Sequence, residues 1–103
     1  MSADGPVLLV VRSEPKDPAM LAQYHRWYKD HMKKLLAVDG VLSARRYESV
    51  DGDMRFVAIY EIRDMSVFEL PAYRAVGKFG DMEPHVRYTR NIYRAIALGG
   101  DKE

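Results

Sequence analysis

The chain has 103 residues, with 16 Lys and Arg against 15 Asp and Glu for a formal charge of +1. That length suits one domain over residues 1–103, with an ordered core from about Pro6 to Leu98, and the near-neutral charge excludes a general electrostatic attraction to nucleic acid or an anionic membrane. There is no cysteine, so disulfides, thiolate catalysis and cysteine-ligated metals are excluded too. The start, Met1 to Pro6, is polar without a basic segment, and the apolar run that follows is too short for a signal sequence or a membrane span; the expected location is the cytoplasm.

Val7 to Val11 is a continuous β-branched and aliphatic run, which reads as a strand apolar on both faces. Ser13 to Lys16 reads as a turn. Asp17-Pro18 is a helix start, since Asp caps and Pro suits the first helical position, and the helix is predicted over Pro18 to about Val38, ending at Asp39-Gly40. Val41 to Val50 is a second predicted strand, Asp51-Gly52-Asp53 a hairpin turn and Met54 to Arg63 a third strand. Phe56, Ala58, Tyr60 and Ile62 share one face of that third strand, with Val57 and Ile59 on the other. Asp64 caps a helical stretch from Met65 to Val76 that Pro71 should kink or restart. A loop at 77–81, a helical turn at Met82 to Val86 and a last strand from Tyr88 to Leu98 complete the chain. Met1 to Pro6 and Gly99 to Glu103 read as disordered tails.

The order β-α-β-β-α-β predicts an α+β, ferredoxin-like fold: a four-stranded antiparallel sheet with helices on one face. The other face also carries apolar side chains and has no element left to cover it. A homodimer with sheet packed on sheet is the economical answer, because large bare apolar faces are rare in monomers.

On the first helix, Met20, Tyr24, Trp27, His31 and Leu35 follow one another at spacings of three or four and form an apolar stripe expected to face the sheet. Arg26, Lys29, Lys33 and Lys34 point to water, and His25 lies at the edge. His31 is thus a titratable ring in an aromatic stripe. It is either a core histidine with both nitrogens hydrogen-bonded or an acid-base group at a pocket, where Tyr24 and Trp27 would wall in a planar substrate. His85 precedes the last strand and is either a solvated loop histidine or a second acid-base group. No HxxxH or HxH spacing links the three histidines, which argues against a metal site. Tyr47, Tyr60, Tyr73 and Tyr88, with Arg45 and Arg46, are either packing residues or pocket phenols and guanidiniums. Adjacent strand residues point to opposite faces, so Arg45 and Arg46 form no common basic patch.

The stretch Trp27-Tyr28-Lys29-Asp30-His31-Met32, followed by Leu35-Leu36-Ala37-Val38-Asp39-Gly40-Val41, resembles the signature of the EthD-like proteins. Ser43-Ala44-Arg45-Arg46-Tyr47 and Tyr88-Thr89-Arg90-Asn91-Ile92-Tyr93 are similar to that family's second and final strands. Asp39 departs from its usual proline, which affects only a turn. The resemblance implies a dimeric α/β barrel with a pocket between sheet and helices in each subunit, and Trp27 and His31 match the motif. It does not name the chemistry, and His85 and the tyrosines match nothing diagnostic in it; the first functional reading, set beside it, is an enzyme needing no cofactor or metal, acting on a small aromatic or polyketide-like metabolite. His31, Tyr24 and His85 would be the candidate catalytic residues, and Trp27, Met20, Leu35, Tyr60 and Tyr73 would bind substrate. The chemistry would be proton transfer in a cyclisation, isomerisation or dehydration. A monooxygenase of the same fold, cofactor-free or haem-dependent, and a non-catalytic binding protein are the alternatives.

Overall fold

The computed structural model describes residues 5–96. Its elements are strand β1 (Val7–Pro15), helix α1 (Leu21–Leu36), strands β2 (Val41–Glu48) and β3 (Phe56–Ile62), helix α2 (Pro71–Val76) and strand β4 (Val86–Arg94). The strands form one antiparallel sheet in the order β2-β3-β1-β4. Both helices pack on the same face, which is the ferredoxin-like arrangement expected from the element order.

Local chemistry sets the boundaries. The Asp17 carboxylate accepts the Ala19 N–H at 2.9 Å and caps a 3-10 turn, Pro18–Met20, from which α1 continues. Asp64 does the same at Ser66 N–H, 2.9 Å, ahead of a 3-10 turn at Met65–Glu69. Leu70 is then extended, as the residue before a proline prefers, and Pro71 restarts the chain as α2. Gly40, with φ of 93°, makes the left-handed step after α1, and its Cβ position would run into Val67.

Several expected boundaries moved: β4 runs from Val86 to Arg94 rather than from Tyr88 to Leu98, the helical turn before it is a 3-10 turn at Gly80–His85 rather than Met82 to Val86, and β2 and β3 are shorter than expected at Val41–Glu48 and Phe56–Ile62. β1 does not turn at Ser13; Ser13, Glu14 and Pro15 pair onward with Tyr88, Arg87 and Val86, and Pro15 sits at the strand's end, where a missing N–H costs little. The hairpin loop is longer than an Asp-Gly turn requires. Pairing stops at Glu48 and Phe56, and the connection uses left-handed backbone at both Gly52 and Met54. α1 ends at Leu36 rather than near Val38. The end of the expected last strand (97 and 98) and most of both expected tails (1–4 and 99–103) lie outside the described residues.

Strand alternation sorts the side chains into two layers. Val7, Leu9 and Ser13 of β1 and Phe56, Ala58, Tyr60 and Ile62 of β3 are buried under the helices. The opposite face carries Leu8, Val10, Tyr47, Val57, Ile59 and Tyr93 by register, and Leu8, Tyr47 and Tyr93 are 42%, 51% and 48% exposed. The shortest dimension of the backbone is 19 Å, as a single helix layer on a single sheet demands, so nothing in the described chain covers that face.

Candidate functional site

α1 buries Tyr24, Tyr28 and Leu35, with Trp27 and His31 half-buried beside them. The buried centre is therefore turned toward Tyr28 relative to the stripe expected from sequence. Tyr24 has no exposed surface; its hydroxyl donates to the Ser13 carbonyl at 3.3 Å and shares a 2.6 Å hydrogen bond with the Ser13 hydroxyl. The Tyr28 hydroxyl reaches the same Ser13 Oγ at 3.3 Å. One buried serine on the central strand thus ties both helix phenols to the sheet.

Beyond this knot, between α1, α2, the segment after it and the sheet, lies a cavity of about 830 Å³. Its floor is Leu9 and Val11 of β1 with Tyr60 of β3; one wall is Tyr28, His31 and Leu35 of α1. Tyr73, Arg74, Gly77, Lys78 and Phe79 form the opposite wall, and Glu83, Tyr88 and Arg90 close the side next to β4. Gly77 is required here, since a Cβ would stand 2.7 Å from Tyr73 Cζ. A smaller cavity of about 380 Å³, lined by Trp27, Asp30, Lys34 and Asp81 among others, adjoins the first, and His31, Lys78, Phe79 and Gly80 border both.

His31 lies flat on the Trp27 indole, centroids 4.3 Å apart at 17°, and Phe79 stacks on the same indole at 5.0 Å and 19°. Burial pushes the imidazole down to about 4, with Lys34 adding to the effect and Asp30 opposing it. His31 is therefore neutral at pH 7, with one ring nitrogen free to accept a proton. Burial drives the phenols the other way: Tyr28 and Tyr60 are both pushed well up, so they remain protonated donors. The site thus pairs a neutral base with neutral hydrogen-bond donors in an aromatic enclosure.

The residues expected at a site fall into two groups. His31, Leu35, Tyr60 and Tyr73 line the larger cavity, as does Tyr88. Trp27 lines only the smaller one, Tyr24 is sealed in the core, and Met20 packs at the core's edge. His85 is exposed outside both cavities, at the end of a 3-10 turn, where its carbonyl accepts the Lys16 N–H at 2.8 Å. Tyr28 was missed from sequence, although the series Tyr24, Tyr28, His31, Leu35 has the same three-and-four spacing as the stripe that was drawn.

Arg46 and Arg45 do point to opposite faces. Arg46 faces the helices, its guanidinium 4.3 Å from the Tyr28 ring centroid and its Nη1 3.1 Å from His25 Nδ1, while Nε and Nη2 are buried without a hydrogen-bond partner among the described residues. Arg45, paired with Ile59, is exposed on the other face. Among the described residues no group of three or more His, Cys, Asp or Glu could hold a metal, and no helix is long and apolar enough to cross a membrane.

No protein-family model and no curated protein matches the chain. Solved structures do. A DABB family protein with a ferredoxin-like fold from Mesorhizobium loti superposes with a TM-score of 0.72 at 19% identity, covering 90% of this chain and 99% of that one. A mutant of SnoaB, a cofactor-independent oxygenase from Streptomyces nogalater, superposes at 0.71 and 15% identity over 93% and 99%. HapK from Hahella chejuensis superposes at 0.68 and 8% identity over 94% and 99%. At these identities the likeness establishes the fold alone: the chain has the ferredoxin-like architecture that these structures share.

Proposed function

We propose that this chain is an EthD-like, cofactor-independent enzyme acting on a small aromatic or polyketide-like metabolite, with His31 as its general base. The observation that carries the reading is the neutral imidazole on the wall of a large aromatic cavity. A C–H beside a carbonyl gives its proton to His31, and Tyr60, kept protonated by burial, hydrogen-bonds the oxygen on which charge collects, while Tyr28, its hydroxyl engaged by Ser13 Oγ, supplies wall. Returned at another position, the proton completes an isomerisation, a cyclisation or a dehydration. Trp27 fixes the plane of the base, Leu35 and Tyr73 supply walls, and Tyr24 serves at one remove by holding Ser13 against Tyr28. Met20 supports α1, and His85 stands outside this chemistry.

An oxygenase is the second reading, favoured by the likeness to SnoaB. There His31 deprotonates a phenol of the substrate, and the electron-rich phenolate is what dioxygen oxidises.

The working unit in this proposal is a cytoplasmic homodimer of single-domain subunits. Its support is the uncovered face of Leu8, Val10, Tyr47, Val57, Ile59 and Tyr93, which a second copy would bury sheet on sheet.

The test uses 2-tetralone, a bicyclic aryl ketone with an acidic C–H beside its carbonyl, in deuterated buffer. The protein should accelerate deuterium uptake measured by NMR, and His31→Gln should abolish the acceleration while remaining folded. Exchange no faster than in buffer alone overturns the base assignment, and oxygen consumption with a naphthol in place of exchange moves the choice to the oxygenase.

A further inference from the structure

The charges around the larger cavity are not balanced, and we infer from their arrangement that it takes an aromatic acid, with Arg90 holding the carboxylate. The inference rests on the reading of this cavity as a substrate site and adds the substrate's charge and orientation.

Besides His31, four ionisable groups of definite charge line the cavity: Arg74, Lys78, Arg90 and Glu83. Arg74 is neutralised by Glu69, 2.5 Å away. Glu83 accepts a hydrogen bond from the Tyr88 hydroxyl at 3.0 Å. Neither Lys78 nor Arg90 forms an ion pair among the described residues, which leaves the wall with more positive than negative charge.

Arg90 differs from an ordinary solvated arginine in how it is held. Its Nη2 donates to the Tyr73 hydroxyl at 3.1 Å, and its guanidinium carbon lies 5.5 Å from the Phe68 ring centroid. Both anchors are uncharged, so they fix the side chain without neutralising it. Tyr73 is buried and itself packed edge-on against Phe68, with centroids 5.0 Å apart, so the anchor is part of the core. Among the described residues one of its five N–H donors is used, by Tyr73, which leaves others for a ligand. A guanidinium is weakly hydrated and matches a carboxylate in a two-point contact, so its transfer from water to such a ligand costs less than a lysine's would.

Register places the charge relative to the floor. Arg90 pairs with Val11, so it stands on β4 directly beside a floor residue and one alternation from Tyr88, which pairs with Ser13. His31 borders the same space from α1. A flat aromatic body lying on Leu9 and Val11 with its acid on Arg90 thus presents its remainder to the helix that carries the base.

Calorimetric titration with 2-naphthoate, 2-naphthamide and 2-naphthylmethylammonium tests this on the full chain. Naphthoate should bind about tenfold more tightly than the amide at low salt, and the ammonium more weakly than either. The preference should shrink in 0.5 M salt, where screening is strong. Arg90→Gln should bring naphthoate to the level of the amide, whereas Arg87→Gln, which removes a charge of the same strand that is paired with Glu14 and lines neither cavity, should preserve the preference. Equal binding of naphthoate and amide to the parent overturns the inference while leaving the cavity a substrate site. Binding of none of the three overturns both. A preference that survives Arg90→Gln overturns the assignment to Arg90, and a circular dichroism spectrum and melting midpoint equal to the parent's confirm that the variant is folded.

Discussion

The imidazole of His31 rests face to face on the indole of Trp27, 4.3 Å between centroids and 17° from parallel. The indole therefore covers one whole face of the base from water, and the low proton affinity of His31 depends on that cover. Trp27→Ala should let water reach the ring and raise the His31 pKa from about 4 toward its ordinary value. An NMR titration of the histidine C2 protons reads this directly; a His31 resonance that still titrates near the parent value in the variant would contradict it.

The same burial predicts how stability responds to acid. The folded-state pKa of His31 lies below its unfolded value of 6.5, so between pH 6.5 and about 4 the unfolded chain binds a proton that the folded chain refuses. Stability should fall as pH drops through that window and level off below it. The loss from this one group is about 2–3 kcal/mol after allowance for the partial exposure of the ring. Urea unfolding at pH 6.5 and 4.5 should show a smaller acid loss in His31→Gln than in the parent.

Ser13 connects two helix phenols to the central strand. Ser13→Ala removes the 2.6 Å hydrogen-bond partner of the fully buried Tyr24 hydroxyl, and should cost about 1–3 kcal/mol. Tyr24→Phe in the same chain should recover part of that loss, because both partners of the bond are then gone. Denaturant midpoints of the two single variants and the double variant form the cycle; strict additivity would show that the bond contributes nothing.

Gly77 is where the cavity wall comes closest to the backbone. A methyl group there meets Tyr73 at 2.7 and 2.9 Å, so Gly77→Ala should force the phenol ring aside at a cost of about 1–3 kcal/mol. Tyr73 also holds Arg90, and the displacement should weaken naphthoate binding several-fold more than amide binding. Calorimetry on the folded variant decides the point, since a uniform loss for both ligands would mean that Tyr73 does not transmit to Arg90.

Ile59 lies near the middle of the sheet face that no helix covers, paired with Val10 on one side and Arg45 on the other. Ile59→Lys should leave the subunit folded and, if the parent is the proposed dimer, give monomers at micromolar concentration. Sedimentation velocity with circular dichroism distinguishes this outcome from simple unfolding.

The fold was legible because its punctuation is chemical: Asp17-Pro18, Asp39-Gly40, Asp64 and Pro71 each stop or start an element for a local reason. Pro15 misled, since a proline reads as a turn unless one knows that another strand runs beside it to Val86. The site was legible only in part. His31 stood out through its spacing, but Tyr28 falls on the same helical period as its neighbours, and only the position of Ser13 across the sheet turns the helix toward it. Arg90 stood in the sequence only as part of a strand-like stretch, because what distinguishes it, a phenol and an arene from α2 and the turn before it, lies 17 and 22 residues away in the chain.

The sheet order has a consequence in time. β1 is made before β3 and β4, yet it lies between them in the sheet. β4 pairs with β1 alone, nearly the whole chain later, at residues 86–94. Until that last segment leaves the ribosome, β1 has one flank of unpaired amides and Arg90 has no cavity to line. Such distant pairing makes for slow closure. A nascent chain halted before Val86 therefore holds three of the four strands and should be adhesive along the open edge of β1, and synthesis up to the end of β4 is the interval in which this protein most needs protection.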